Sequence, residues 1–246
     1  AQQPDSQQAG LMIVGEGGIA RDCVITNNTG STYGGGLSVG RGCVASNCWV
    51  SGNSASYGGG AYLNSNGMLL DSVVISNNVA FFLQGGTIRN CLVAGNNAGT
   101  WIYSGGMLQS CTIVGNGYGV TVGTGSGSAI TGIVENCILY GNGSSGVNYS
   151  SYGNGANNAL VFTNTCTLPQ PAGAYDSGVI TAAPRLVDEA GGDFRLRGGS
   201  PCVNAGVWRA WMEGARDLDG RQRVIGAAVD LGVYEYMPSG TILHVR

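Results

Sequence analysis

The six-residue stretch Cys91-Leu92-Val93-Ala94-Gly95-Asn96 recurs, with its chemistry preserved, along the first 142 residues of the chain. In each copy the first residue is small and apolar, the third is aliphatic and the sixth is asparagine. The copies occupy residues 23–28, 48–53, 73–78, 91–96, 111–116 and 137–142. Their first residues are 25, 25, 18, 20 and 26 residues apart, which is the range of one turn of a solenoid.

The pattern inside the repeat is typical of a short strand followed by a bend. The first and third residues are apolar and the fourth is small or polar, which is the period of two expected for a strand with one buried face. The glycine or asparagine at the fifth position and the asparagine at the sixth tolerate the left-handed conformation of a tight bend. The sequence therefore predicts an all-β fold, a single-stranded parallel β-helix or solenoid.

Equivalent residues of successive coils are expected to stack about 4.8 Å apart and to form columns. Asparagine columns can join side-chain amides along the axis, so we expect the sixth-position residues to be architectural and not a binding site. These residues are Asn28, Asn53, Asn78, Asn96, Asn116 and Asn142. The first-position cysteines are expected to form a column of packed free thiols, and they are Cys23, Cys48, Cys91, Cys111 and Cys137. A disulfide between Cys166 and Cys202 is an alternative for two of the remaining cysteines.

Composition limits the class of protein and of partner. The 246 residues suffice for one large domain, with 43% hydrophobic and 10% charged residues. All 11 basic residues are arginine, and with 14 acidic residues the net charge is −3, which argues against nucleic acid as a partner. No apolar run approaches the about 20 residues of a membrane-spanning helix. The chain opens with Ala1-Gln2-Gln3, so we expect that any signal peptide has already been removed.

Two sets of motifs resemble known families. Glycine-rich segments such as Tyr57-Gly58-Gly59-Gly60-Ala61-Tyr62 alternate with the repeat, as in the paired GG-aliphatic and F-x-x-N repeats of bacterial polymorphic outer-membrane proteins. That resemblance implies a right-handed parallel β-helix of the pectin-lyase-like type. The C-terminal motifs Ala183-Pro184-Arg185-Leu186-Val187-Asp188 and Ser200-Pro201-Cys202-Val203-Asn204-Ala205-Gly206 resemble those of choice-of-anchor Q β-helix proteins. This second resemblance implies a secreted or surface-attached bacterial protein.

The same patterns divide the chain into three parts. Residues 1–10 are polar and are expected to form an N-terminal arm. Residues 11–206 are predicted to form the β-helix, interrupted by a long Gly-, Ser- and Asn-rich loop at about 143–158. Residues 207–246 are expected to form a polar closing segment that caps the last coil, because the end of a solenoid exposes unpaired strands.

Three groups of residues are candidates for function. Aromatic residues recur near the glycine corners, and such a stripe can stack on sugar rings; they are Tyr33, Tyr57, Phe82, Trp101 and Tyr103. Asp217 and Asp219 precede a glycine, as in the opening of many calcium loops, with Asp230 and Glu235 as later ligands. The alternative is an Asp-Gly turn whose acids pair with nearby arginines. No cofactor other than this calcium ion is expected.

The leading functional hypothesis is a non-catalytic extracellular or cell-surface protein with a structural or adhesive role. Its first coil has no evident capping helix, so copies of the chain could associate head to tail into filaments. The alternative is a β-helix that binds or cleaves polysaccharides, as a lyase or glycosidase acting on an acidic glycan. In that hypothesis Asp22 and Asp71 are a carboxylate pair and Arg89 is a base. Extracellular glycans and further copies of the chain are thus the expected partners.

Overall fold

The computed structural model describes residues 9–123, 130–143, 146, 148–152, 159–171, 176–225 and 228–238. These residues form a parallel β-solenoid in which the chain passes through three sheets in turn. Each sheet has seven parallel strands, and neighbouring strands come from successive coils. The all-β solenoid predicted from the sequence is confirmed.

The strands are short, and each is followed by a bend. The first sheet contains β1 (Leu11–Ile13), β4 (Leu37–Val39), β7 (Ala61–Leu63), β10 (Phe81–Leu83), β13 (Thr100–Ile102), β16 (Val120–Val122) and β19 (Tyr149–Ser151). The second contains β2 (Ile19–Arg21), β5 (Val44–Ser46), β8 (Met68–Leu70), β11 (Thr87–Arg89), β14 (Gly106–Gln109), β17 (Thr131–Glu135) and β20 (Ala159–Thr163). The third contains β3 (Val24–Thr26), β6 (Trp49–Ser51), β9 (Val73–Ile75), β12 (Leu92–Ala94), β15 (Thr112–Val114), β18 (Ile138–Tyr140) and β21 (Cys166–Thr167).

The C-terminal residues are organised differently. An antiparallel hairpin of β22 (Leu186–Asp188) and β23 (Asp193–Leu196) is followed by a single 3-10 turn at Ala210–Met212. Among the described residues, no helix has the length and apolar character needed to cross a membrane.

The corner between the second and third sheets explains the cysteine pattern. One residue at each corner has a positive φ, and these residues are Asp22, Asn47, Asp71, Asn90, Ser110, Asn136 and Asn164. The next residue turns its side chain back and donates a hydrogen bond to the carbonyl two residues earlier, as Cys91 Sγ does to Arg89 O at 3.1 Å. Ser72 and Thr165 occupy this position in two coils and donate in the same way. The cysteines of this thiol column therefore act as hydrogen-bond donors as well as small apolar side chains.

A second column of side chains, buried except at its first member Asn28, lies in the bends that follow the strands of the third sheet. Its members donate from the side-chain amide to the amide oxygen of the next member, at distances from 2.8 to 3.1 Å. Each central member also donates to a backbone carbonyl of the preceding coil, as Asn96 does to Val74 O at 3.0 Å. This asparagine column consists of Asn28, Asn53, Asn77, Asn96, Asn116, Asn142 and Asn148.

In the third coil the structure differs by one residue from the repeat alignment made from the sequence. Asn77, and not Asn78, lies in the asparagine column, because Ser72 occupies the corner position that was assigned to Val73. Asn78 instead binds the next bend, where its side chain donates to Ala55 O at 2.7 Å and accepts from Val79 N at 2.8 Å. It packs so closely on Gly59 that a Cβ there would lie 1.8 Å from the Asn78 amide oxygen.

Residues 184–225 and 228–238, here called the C-terminal unit, lie along the flank of the solenoid. Their apolar side chains Leu186, Leu196 and Leu231 pack on outward-facing residues of the third sheet, including Leu92 and Ile138. Corner asparagines fasten the unit: these are Asn90, which donates to Arg216 O, Asn136, which donates to Val207 O, and Asn164, which donates to Ala205 O.

These contacts differ from the predicted boundaries. The last paired coil strand ends at Thr167, and residues 184–206, predicted to belong to the coils, lie with the C-terminal unit. The expected cap is instead a lateral cover, because coils three to seven carry apolar residues on the outer face of the third sheet. The predicted loop at 143–158 contains β19. The predicted arm at 1–10 lies outside the described residues except for Ala9 and Gly10, and Gly10 already pairs with Gly35 O at 3.0 Å.

Replacing Asn96 by alanine is expected to lower the free energy of unfolding by about 3 kcal/mol or more. The substitution removes a buried hydrogen-bond partner from three groups: the Asn77 amide, Val74 O and the Asn116 amide oxygen. Each lost partner costs about 1–3 kcal/mol. Urea unfolding would measure the loss. Asn97→Ala, at the exposed neighbouring position, is the control and should change stability by less than about 0.5 kcal/mol. Equal effects of the two variants would contradict a stabilising column.

Candidate functional site: an aromatic face on the first sheet

The outer side of the first sheet carries consecutive aromatic residues. The middle residue of each of its three-residue strands points outward, since both flanking residues are fully buried in the core in β7 and β10. The in-register pairing of β7, β10 and β13 then aligns Tyr62, Phe82 and Trp101 in neighbouring coils. Successive rings are 6.1 and 5.7 Å apart between centroids.

Aromatic residues from the bends widen this row into a patch. Tyr33 and Tyr57 precede two glycine corners, pair as an isolated parallel bridge and stack at 5.3 Å. Tyr57 also contacts Phe82 at 5.1 Å, and Tyr103 contacts Phe82 at 5.2 Å. The resulting aromatic face consists of Tyr33, Tyr57, Tyr62, Phe82, Trp101, Tyr103 and Tyr152.

Polar groups lie at the margin of the aromatic face. The Tyr62 hydroxyl donates to the Gln84 side-chain oxygen, and Trp101 Nε1 donates to Gly123 O at 2.9 Å. Burial, with a smaller contribution from Tyr33, raises the pKa of the Tyr62 hydroxyl, which therefore stays protonated at neutral pH. A cavity of about 360 Å³ opens between the rings and Gln84.

A second cavity adjoins the face. This side cleft, of about 550 Å³, is lined by the rings of Trp101, Tyr118 and Tyr152 and by small and hydroxyl-bearing residues such as Thr121 and Ser150. Tyr118 and Tyr152 are 68% and 53% exposed, so their rings are open to solvent. Among the described residues that line the two cavities, there is no aspartate, glutamate, arginine or histidine. The site is therefore rich in ring surface and hydroxyl groups, and uncharged.

The structure brings together all five aromatic residues selected from the sequence. Sequence reasoning missed Tyr62, Tyr118 and Tyr152. The alternation of Ala61, Tyr62 and Leu63 gives a signal for Tyr62, because the buried neighbours on both sides require its ring to face outward. Tyr152 follows β19 within the segment that was predicted to be a loop. The sequence around it has no strand periodicity from which its position could have been predicted.

The residues considered for catalysis lie elsewhere and are used by the fold. Asp22 and Asp71 hold corner positions, where each accepts a hydrogen bond from a corner asparagine, Asn47 at 2.5 Å and Asn90 at 2.7 Å. Arg89 donates from Nε to Gln109 Oε1 at 3.0 Å. Its guanidinium lies 4.7 Å from the centroid of the Trp211 ring in the C-terminal unit. These groups do not converge on the aromatic face or the side cleft.

The two acids of the calcium hypothesis, Asp217 and Asp219, bind different partners. Asp217 accepts backbone N–H groups on both carboxylate oxygens, from Asp219, Arg221 and Glu235. The Asp219 carboxylate forms ion pairs with Arg195 at 2.7 Å and Arg221 at 3.1 Å. Over the described ranges, no group of three or more His, Cys, Asp or Glu side chains is arranged to hold a metal ion. The geometry therefore favours the Asp-Gly turn over the calcium loop.

Asp217 belongs to a buried ionic cluster within the C-terminal unit. Arg223 is fully buried, and its Nε lies 3.4 Å from Glu235 Oε1. Asp230 is also buried and accepts from Asn204 N and Tyr236 N. Burial raises the pKa of Glu235 to about 8; Arg223 opposes this shift, and Asp230 and Asp217 add to it. Three acids around one guanidinium fix the unit, and burial favours the protonated form of the Glu235 carboxyl.

Sequence comparison agrees with the architecture. A family model described as "right handed beta helix region" matches residues 5–133, which is just over half of the chain. The matched part includes the aromatic stripe from Tyr33 to Tyr103. No curated protein sequence matches the chain.

The ionic cluster predicts a pH dependence of stability. The pKa of Glu235 rises from the ordinary value of 4.5 to about 8 on folding, so the folded protein binds more protons between these pH values. This group should therefore make the free energy of unfolding fall as pH rises through that window. Glu235→Gln should flatten this decline in urea titrations at several pH values, whereas the exposed Glu189→Gln should leave it unchanged. An unaltered slope in Glu235→Gln would refute the assignment.

Proposed function

Because the chain belongs to the right-handed β-helix family, we propose that it is a non-catalytic extracellular or cell-surface protein that adheres to neutral glycans through its aromatic face. The fold fits a surface or polysaccharide-related protein. The observation that carries the finer proposal is the contiguous set of rings across neighbouring coils, beside a side cleft lined with hydroxyl groups.

The chemistry of the face matches that of a sugar chain. The C–H groups of a pyranose ring pack on aromatic rings, while its hydroxyls need donors and acceptors at the margin. Trp101 and Tyr152 present rings 5.3 Å apart in an edge-on arrangement, and Gln84, Thr121 and Ser150 provide polar atoms beside them. Rings held by in-register strands lose little conformational entropy when a ligand binds.

The charge of the face favours neutral over acidic glycans. A polyuronate carries a carboxylate on each sugar, and its burial requires cations. The described lining residues of both cavities include no arginine, and the chain has no lysine. Asp22, Asp71 and Arg89 are hydrogen bonded to side chains of the second-sheet corners and strands and line neither cavity, which supports binding at the aromatic face without cleavage there.

Affinity electrophoresis with hydroxyethyl cellulose, a neutral glucan, tests this proposal. We expect the glucan to retard the protein, and Trp101→Ala and Tyr152→Ala each to weaken binding by about fivefold to tenfold, since one lost ring contact is worth about 1 kcal/mol. Trp208→Ala is the control, because this tryptophan is 49% exposed but lies in the C-terminal unit. Equal weakening by Trp208→Ala, or stronger retardation by polygalacturonate than by neutral glycans, would count against the proposal.

A second candidate function, end-to-end assembly, is favoured by the first coil. Within the described residues β1, β2 and β3 each have a neighbouring strand on one side only. Leu11, Ala20 and Cys23 pack against the core there while remaining partly exposed. An open parallel edge can pair with another chain, and a head-to-tail contact that does not close produces a filament.

Electron microscopy at rising protein concentration tests assembly. Filaments should show an axial repeat of roughly 34 Å, which is seven strand spacings of about 4.8 Å. Sedimentation of the same samples should show a mass that grows with concentration. Single short rods and a constant monomer mass at every concentration would exclude this candidate.

A further inference from the structure

The row of outward residues on the first sheet changes its chemistry after β13. Trp101, Thr121 and Ser150 are the middle residues of β13, β16 and β19, and the in-register pairing of these strands places them side by side. In this row Trp101 is the last ring, and the two residues that follow it are small and carry hydroxyls. Their small side chains leave open the side cleft of about 550 Å³, which all three residues line.

The two hydroxyls form a pair at the floor of the side cleft. Thr121 Oγ1 and Ser150 Oγ are 2.9 Å apart, so that one of them donates to the other. In the described part of the chain, no other hydrogen bond engages either oxygen. One proton is used within the pair, so the second hydroxyl keeps its proton to donate, and both oxygens keep lone pairs to accept. The pair therefore offers one donor and several acceptors to a group in the cleft.

Aromatic rings stand at both ends of this hydroxyl pair. Tyr118 lies in the bend two residues before β16 and forms one wall, whereas Tyr152 directly follows β19. Trp101 Nε1 donates to the carbonyl of Gly123, the residue after β16, so its indole is directed toward the same end of the strands as Tyr152. Trp101 and Tyr152, 5.3 Å apart between ring centroids, form the second wall. The three residues of β16 span about 10 Å, which leaves room for one pyranose between the walls.

A neutral sugar has the chemistry that this arrangement requires. The faces of a pyranose ring carry C–H groups that pack on aromatic rings, and its edge carries hydroxyls that each donate and accept. Two neighbouring ring hydroxyls, a vicinal diol, are separated by nearly the same distance as Thr121 Oγ1 and Ser150 Oγ. Four oxygens can then form a closed set of hydrogen bonds. An apolar ligand would leave the hydroxyl pair unpaired, and an acidic sugar would find no cation.

We propose that the side cleft is the specificity subsite of the aromatic face. It holds one neutral sugar between Tyr118 and Tyr152, with a free vicinal diol of that sugar on the Thr121–Ser150 pair. This inference rests on the proposed function, because it assigns recognition of the glycan to one sugar of the chain. The remaining rings of the aromatic face add stacking to neighbouring sugars without reading a hydroxyl group.

Affinity electrophoresis of the full chain tests this assignment with a soluble mixed-linkage β-glucan, before and after methylation of its hydroxyls. Methylation keeps the C–H faces of the sugar rings and removes their hydroxyl donors. We expect the wild type to bind the unmodified glucan about tenfold more tightly, since neutral hydrogen bonds are lost with the methylated one. Thr121→Val/Ser150→Ala should weaken binding of the unmodified glucan about tenfold and remove the preference between the two polymers.

Further variants separate the wall from the floor. Tyr118→Ala should weaken binding about fivefold, because this exposed ring is lost, whereas Tyr118→Phe keeps the ring and should bind as the wild type does. Thr26→Val, at an exposed position of β3 in the third sheet, is the hydroxyl control and should leave binding unchanged. If the double variant does not fold, the wild-type comparison of the two glucans together with Tyr118→Ala decides the question.

The outcomes distinguish this inference from the proposed function. Binding that is weakened by Trp101→Ala, but not by Tyr118→Ala or the double variant, would keep the glycan-binding function and overturn the subsite. Equal binding of methylated and unmodified glucan by the wild type would also overturn the subsite. Failure of both this glucan and hydroxyethyl cellulose to retard the wild type would overturn the function and the subsite together.

Discussion

Each coil of this solenoid is held to the next by buried asparagine amides, and the remaining features depend on that constraint. A primary amide has donors and acceptors on one rigid plane, so it can bind the next amide of the column and a backbone carbonyl of the preceding coil together. Asn116 does this with Asn142 at 2.9 Å and with Val93 O at 3.0 Å. A shift of one residue in any coil would break both contacts, so the column sets the register while the bends between strands vary in length.

Fixed register also determines what the outer surface can present. Because the strands of the first sheet stay aligned, an aromatic residue at the middle of β7, β10 and β13 necessarily lies beside its equivalents in the next coils. These strand-centre rings contact one another at centroid separations of 6.1 and 5.7 Å, and rings from the bends, such as Tyr57, pack against them. Each of these three coils thus contributes the outward residue of one strand to a rigid ring surface.

The sequence was sufficient to predict the solenoid, its columns and most of the aromatic face, because these features repeat. It was insufficient where one coil was ambiguous: Val73 looked like a first-position residue, and the doublet Asn77-Asn78 concealed the shift. The lateral course of the C-terminal unit was missed for a different reason. In β12 and β18 the residues on both faces are apolar, as Leu92 and Ile138 show, whereas β3 carries Thr26 on its exposed face. That loss of alternation was the available signal for a covered sheet.

The C-terminal unit and the outer side of the first sheet differ in their content of charged residues. Arginines and acids of the C-terminal region bind each other or the coils, as in Arg209 with Glu135 at 2.6 Å and Arg195 with Asp219 at 2.7 Å. Arg209 thereby attaches the C-terminal unit to the coils, and Arg195 joins two parts of the unit, both through partly exposed ion pairs. The outer side of the first sheet carries rings, amides and hydroxyls instead. Tyr62 and Phe82 are buried there beneath Tyr33 and Tyr57, whereas Trp101 is partly exposed and Tyr152 is exposed. Under the proposed glycan-binding function, a surface of that composition would discriminate by shape and ring stacking, and this is the physical reason to expect an uncharged sugar chain to bind it better than a polyanion.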